Sequence, residues 1–420
     1  MALTEAICEP IGDESAPRAR TILLTGTYSS QNKGDAAMEL SAAAALSERF
    51  GEATEVVISA PFADADRSFY APTPVVPCDR RQLIKSTYGL LKTVTGRNFG
   101  FQPSRSTTPM AEADLVIDLS GDMLTEDYGP HVAYSHFLPL LRAKALGIPY
   151  FICAQSVGPF KATKPLALHI LNNAHAVTVR DNISYNYLRD IGVREDVLKQ
   201  TADLAFLLPS TPRDEAKAFD PGAQIGGSII GVSVSKLVAK RFDKANSQGD
   251  FVRLMAKALD HTAKETGARI LFTPHVTGPT PEKDDRLISR EVAAALSSDV
   301  TSHVIEDNLR PEQIKGVIAN CDIFIGCRMH ANIAALSSHV PTVALAYSHK
   351  TPGIMRACGV EEFVLNGSDL TIDTVTQQLS AVWNARTPLR ERLTRTVAEQ
   401  RLAARQNIDI AAKLLDNKTS

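Results

Sequence analysis

Two residues apart, Arg328 and His330 form the pair in this 420-residue chain best suited to chemistry. A guanidinium offers a planar fork of donors that fits a carboxylate or a phosphate. An imidazole titrates near neutrality and can hand over a proton. His349 and Lys350 follow one strand later, so all four groups could converge on one anion. The bland alternative is a set of satisfied loop residues. Position argues against it, because both groups stand where apolar runs end. In open α/β sheets, ligands bind at the carboxyl ends of strands.

Other polar strand ends join this set. Arg180 follows Ala176-Val177-Thr178-Val179 and is either an anion ligand or the partner of Asp181. His275 comes just past Arg269-Ile270-Leu271-Phe272, and taken alone a histidine there is more often structural than catalytic. Asn32-Lys33-Gly34-Asp35 opens an Ala-rich helix. Asp35 suits the positive helix end, and the amides there could cradle an anion, or Gly34 and Asp35 merely turn and cap. The glycine pattern is not a dinucleotide fingerprint. Ser120-Gly121-Asp122 and Gln155-Ser156 either line the cleft or only make turns. Asp118, Asp122, Glu126 and Asp127 form an acidic group that either holds a divalent ion or is a set of solvated loop carboxylates, and no metal site is assigned.

The elements that must position these residues alternate strand and helix. Apolar runs at 21–25, 55–59, 114–118, 149–154 and 176–179 read as strands, with helices over 35–50, 139–146 and 184–190. Residues 61–110 show few clear periods; a helix is expected over 81–91 and loop elsewhere. A Pro- and Gly-rich stretch then marks a domain boundary. Strands resume at 228–234, 269–272, 323–325, 342–346 and 362–365, with helices over 250–266, 311–320, 331–337, 371–383 and 389–415. The expected organisation is a disordered 1–20, an N-terminal Rossmann-like domain over 21–210, a linker over 211–227, a C-terminal Rossmann-like domain over 228–385, and a helix in 386–420 packing back. That is an α/β chain of two Rossmann-like domains facing a cleft.

Composition narrows the function classes. Lys plus Arg number 45 and Asp plus Glu 47, a net charge of −2, which offers no footprint for nucleic acid. The N-terminal stretch lacks the apolar core of a signal peptide. No run approaches the roughly 18 apolar residues of a membrane span. The six cysteines form no CxxC and read as reduced and structural. A cytoplasmic enzyme is expected. Walker A, HExxH, zinc-spaced Cys/His and GxSxG patterns are all missing.

Taken together, the pieces resemble the polysaccharide pyruvyl transferase family over most of residues 21–385. They are Asn32 to Asp35, Asp114 to Gly121, Ala154 to Pro159, Thr178 to Asp181 with Ser184, Ala202 to Phe206, Gly326 to His330, Val340-Pro341, and Tyr347 to Lys350. Two departures stand out: Leu119-Ser120-Gly121-Asp122 replaces a glycine-rich run, and His339 stands where Gly often precedes Val-Pro. The resemblance implies a GT-B-like fold. It also implies phosphoenolpyruvate as donor, without a cofactor, and a sugar or lipid-linked oligosaccharide as acceptor, joined as a cyclic ketal. Arg180 and Arg328 would hold the donor, with Met329, His275 and Lys350 on the same side, and His330 would be the acid/base. Asn32, Gly34, Asp35, Gly121, Asp122, Gln155 and Ser156 would face the acceptor, with Asp122 or Asp181 as its base. A lipid-linked acceptor would bring the protein to the inner membrane face, and a homo-oligomer through the last helix is a further expectation. The competing readings are a GT-B enzyme using a nucleotide-sugar and a non-enzymatic two-domain anion binder.

Overall fold

Two parallel sheets, each wrapped by helices, make up the protein. The computed structural model describes residues 19–78, 108–212, 227–245, 250–346 and 350–416. In the first half, β1 (Arg20–Thr25), β2 (Thr54–Ala60), β3 (Val75–Pro77), β4 (Leu115–Asp118), β5 (Tyr150–Gln155), β6 (Ala176–Val179) and β7 (Leu198–Gln200) pair in the order β3-β2-β1-β4-β5-β6-β7. In the second, β8 (Ile229–Ser233), β9 (Arg269–Phe272), β10 (Ser302–Val304), β11 (Ile323–Gly326), β12 (Thr342–Ala346) and β13 (Val364–Asn366) pair as β10-β9-β8-β11-β12-β13. Every pairing is parallel. Helices cover both faces of such sheets, so their strands become continuous apolar runs. β12 is buried at all five positions.

The strand order positions the site. β1 lies between β2 and β4, and β8 lies between β9 and β11. At each of these places the chain reverses its direction of winding, leaving a crevice at the carboxyl ends of the strands. The loops after β1 and β4 therefore face the loops after β8, β9 and β11. The two halves are also zipped together by backbone. Asn32 forms an antiparallel bridge with Val276. Lys33 N–H donates to His275 O at 2.9 Å, and Thr277 N–H donates to Gln31 O at 3.0 Å.

The helix Arg386–Asp416 runs about 46 Å at 1.5 Å per residue. Leu389, Leu393 and Val397 are buried in the core of the second half. Ile408, Ala411 and Leu415 are buried in the first. Between these stretches Asn407 is buried; its amide oxygen accepts from Thr178 Oγ1 at 2.7 Å and Thr201 Oγ1 at 2.9 Å. Among the described residues, no helix is long and apolar enough to cross a membrane.

Several local expectations need correction. The helix expected over 139–146 begins at Pro130, and Pro139 sits inside it. Proline is welcome in a first helical turn, and buried Ala133, Phe137 and Leu140 carry the helix past the second proline. The stretch expected to be loop contains the helix Ala63–Tyr70 and β3. That helix buries Ala63, Asp66 and Tyr70, a helical spacing that a carboxylate at the middle position conceals. Residues 361–363 form a 3-10 turn, so the last strand starts at Val364. The helix expected over 81–91, most of the linker and His349 lie outside the described residues.

Candidate active site

β11 ends at Gly326, where a Cβ would stand 2.1 Å from Asn332 Oδ1. Only glycine allows the helix Met329–Ser337 to fold this tightly onto the strand end, and Asn332 Nδ2 donates back to Gly326 O at 3.2 Å. Arg328 occupies the N-cap position in extended geometry, and its side chain does not cap the first turn. Helix N-termini left open in this way bind anions through their backbone N–H groups. Arg328 itself reaches sideways. Its Nε and Nη2 donate to the two oxygens of buried Asp285, at 3.0 and 2.8 Å. Burial raises the Asp285 carboxyl, and Arg328 works against that rise.

His330 is held from two sides. A Cβ on Gly34 would lie 2.2 Å from His330 Nδ1, so the imidazole lies flush against the start of the helix Lys33–Phe50. On the other side, His330 Nε2 stands 3.5 Å from Asp203 Oδ2. Asp203 in turn accepts from Arg180 Nη1 at 2.6 Å, both side chains fully buried. Burial alone would raise the Asp203 carboxyl; Arg180 and His330 outweigh it and hold it far below the usual range. Arg180 Nε also donates to Ser156 Oγ at 2.9 Å, and Ser156 donates to Asp181 at 2.7 Å. Arg180, Gln155 and Ser156 thus form a buried layer behind the cleft, whereas the sequence placed them on its surface.

The first half supplies the opposite wall. Asn32 caps its helix, with Oδ1 accepting from Gly34 N–H at 3.1 Å. Its amide nitrogen donates to Asp35 Oδ1 at 2.8 Å, and Tyr28 N–H donates to Asp35 Oδ2 at 3.1 Å. Burial pushes the Asp35 carboxyl up to about 6. Asp122 behaves in the opposite way. Burial would raise it, but Lys350 and Arg180 bring it down to about 2. Lys350 Nζ donates to Asp122 O at 3.0 Å and Oδ2 at 3.2 Å, and it stands 5.1 Å from the Tyr128 ring centre. The ammonium expected in the anion pocket is buried and ties the two halves together instead. Asp181 caps the helix Asn182–Ile191. Asp118 is wholly buried and accepts from Gln155, which corrects its reading as a solvated loop group.

These walls enclose a cavity of about 390 Å³. Asn32, Gly34, Asp35, Gly121, Asp122, His275, Arg328, Met329 and His330 line it. His275 is a buried member of the lining, and burial lowers its imidazole to about 3. Lys240 and Lys283 also line the cavity. Sequence reasoning missed both, because they come from a helix and a turn with no motif. It also missed Asp203 as a site residue. The signal for it was an acid opening the otherwise apolar Leu204-Ala205-Phe206.

A family model described as polysaccharide pyruvyl transferase matches residues 32–349. The chain is 24% identical over 309 residues to the "Amylovoran biosynthesis protein AmsJ" of Erwinia amylovora, covering 70% of this chain and 72% of that protein. Among solved structures, UDP-GlcNAc 2-epimerase from Neisseria meningitidis, bound to UDP-GlcNAc, superposes with a TM-score of 0.59 at 13% identity, over 94% of this chain and 99% of that one. HepE from Anabaena, in complex with UDP-glucose, gives 0.55 at 12% identity over 95% and 99%. At such identities the likeness is one of fold, a GT-B-like pair of α/β domains.

Proposed function

The chain belongs to the polysaccharide pyruvyl transferase family, and from that membership we propose that it moves the pyruvyl group of phosphoenolpyruvate onto two hydroxyls of a glycan sugar. The observation that carries this reading is the line Arg180–Asp203–His330, which ends in the cavity beside an uncapped helix N-terminus. Phosphoenolpyruvate is a compact anion with a carboxylate and a phosphate. Arg328, Lys240, Lys283 and the open N-terminus at Met329 offer it matching donors.

Each step then has a residue. Protonated His330 gives its proton to the methylene carbon, and C2 becomes oxocarbenium-like. Asp203, kept anionic by Arg180, stands 3.5 Å from Nε2 and orients the ring. A sugar hydroxyl adds to C2 while Asp35 takes the hydroxyl proton. Asp35 suits this role better than Asp122, whose low carboxyl is held by Lys350, or Asp181, which caps a helix. The C2–O bond to phosphate breaks, the pocket cations stabilise the departing charge, and a second hydroxyl closes the ketal as its proton leaves with phosphate. The proton taken by Asp35 returns to His330 through solvent, so of the two protons the diol loses, one replaces the proton given to carbon and one leaves with phosphate.

Calorimetric titration of the protein with phosphoenolpyruvate, beside UDP-sugars, tests the donor. Phosphoenolpyruvate is expected to bind, and Arg328→Ala is expected to weaken it by about tenfold or more, the weight of one hydrogen bond to a charged group. Binding of a UDP-sugar with no response to phosphoenolpyruvate would overturn the reading in favour of a nucleotide-sugar enzyme.

A further inference from the structure

A second cavity, of about 360 Å³, lies beside the first and shares Ser29 with it. Its size falls at the low end of the roughly 300–1,000 Å³ seen for small-ligand sites. One wall is Ser30 and Gln31, from the zipped segment between the halves; another is Phe62, Asp66 and Phe69; the third is Pro279, Asn308 and Arg310.

The cations around this cavity are already matched. Arg310 donates from Nε to Glu312 at 2.5 Å and from Nη1 to Phe69 O. The Lys33 ammonium donates to Asn308 Oδ1 at 2.6 Å and Ser30 O at 3.2 Å. An anionic ligand would therefore have to break ion pairs or hydrogen bonds to enter. What remains unmatched is of a different kind. Asp66 is 1% exposed; its Oδ1 accepts from both the N–H and the hydroxyl of Ser30, while its Oδ2 has no partner. Gln31 Oε1 is likewise buried and unpartnered. Buried acceptors without donors are costly, by about 1–3 kcal/mol each, and call for an occupant that supplies them. Beside them the Phe62 ring is 37% exposed. It meets Tyr28, a wall of the first cavity, edge-on at 5.3 Å and 82°. The aromatic pair thus forms a ridge joining the two cavities.

A neutral ligand rich in hydroxyl donors, with an apolar C–H face to lay on a phenyl ring, meets all these demands, and a sugar ring is such a ligand. We propose that the second cavity is a saccharide subsite, holding the unit of the acceptor glycan next to the one that reacts. This occupant rests on the pyruvyl-transfer reading, which brings a glycan to the cleft. Asp66 and Gln31 accept the sugar hydroxyls, and Phe62 carries its C–H face.

Hydroxyl-radical footprinting of the full chain, read by mass spectrometry, tests the subsite. The probes are lactose, maltose and methyl β-galactoside at millimolar concentration. Oxidation of Phe62 is expected to fall with a disaccharide. Asp66→Asn is expected to weaken this protection about tenfold, the loss of one hydrogen bond to a carboxylate. Because Asp66 also holds Ser30, Phe62→Ala, at an exposed ring, serves as a second variant, with saccharide affinity read by calorimetry and expected to fall by a similar factor. Protection confined to Tyr28 and Met123, or no protection by any probe because the cavity holds only water, would overturn the subsite. Titration of the wild-type protein with phosphoenolpyruvate, run in parallel, tests the donor reading separately. Phe62 protection without phosphoenolpyruvate binding would leave the subsite standing and remove the pyruvyl reading.

Discussion

The ends of β9 and β11 each place a histidine in the wall of the same cavity, yet the two imidazoles live in different chemistry. His275 is buried, has its Nδ1 3.4 Å from the Thr273 backbone oxygen, and is lowered to about 3 by burial. His330 keeps 15% of its side chain exposed and faces the buried anion Asp203. The difference does not come from the strands, which are alike. It comes from what the first half brings up to each residue: a carboxylate pinned by Arg180 at the His330 ring, and Lys33 N–H at the His275 backbone oxygen. Burial disfavours the charged form of an imidazole, and a fixed negative charge beside the ring opposes that effect.

The largest effect should come from removing the paired histidine. His330→Asn is expected to slow phosphate release from phosphoenolpyruvate, in the presence of acceptor glycan, by about 10²–10⁴-fold, the usual weight of a general acid. Calorimetry should show a much smaller change in donor affinity. Equal losses in rate and affinity would instead make His330 a binding group.

Asp203→Asn attacks the same contrast from behind. Removing one member of a buried ion pair costs roughly 3–5 kcal/mol, because Arg180 stays buried and uncompensated. Thermal melts should show that loss. The rate should fall less than in His330→Asn, and donor affinity read by calorimetry should stay within a few-fold of the wild type, since Asp203 meets the His330 ring and not the cavity. An equal loss of donor affinity would reduce Asp203 to a purely structural role.

Asp35→Asn is expected to have a smaller effect on the rate, with a clear signature. The wild-type rate should fall as pH drops through about 6, where the raised Asp35 carboxyl takes up its proton and ceases to be a base. The variant should lose that limb. The stability sign runs the other way. A carboxyl raised by burial favours the folded state below the ordinary carboxylate range, and that contribution is lost as pH rises through about 6. At neutral pH the variant should therefore melt no lower than the wild type.

How much of this was legible in the sequence depended on whether the partner lay nearby in the chain. The strands were readable because parallel strands buried on both faces become apolar runs ended by glycine or polar residues, as at Ile323 to Gly326. The pairing of Arg328 and His330 at one turn was readable for the same reason. The counter-charges were not. Asp285 faces Arg328 and Asp203 faces His330 across long sequence separations, and nothing local marks an acid as somebody's partner. Lys350 stood at the expected strand end, yet its ammonium turns to Asp122 in the other half, a contact set by how the halves meet. The helix Ala63–Tyr70 stayed hidden because its core-facing positions include Asp66, a residue that pattern reading counts as surface.

The unpaired histidine offers the mildest and most diagnostic test. His275 binds its proton more weakly folded, at about 3, than unfolded, near 6.5. Between those values the unfolded chain holds more protons, so stability from this residue is present above pH 6.5 and is lost as pH falls toward 3. His275→Asn cannot titrate there, and its melting temperature should vary less with pH across that window. Its rate of phosphate release should stay close to that of the wild type, because a neutral imidazole has no proton to give. A rate loss approaching that of His330→Asn would erase the distinction between the two strand ends. It would mean that the donor, once bound, recharges a ring that the empty cavity keeps neutral.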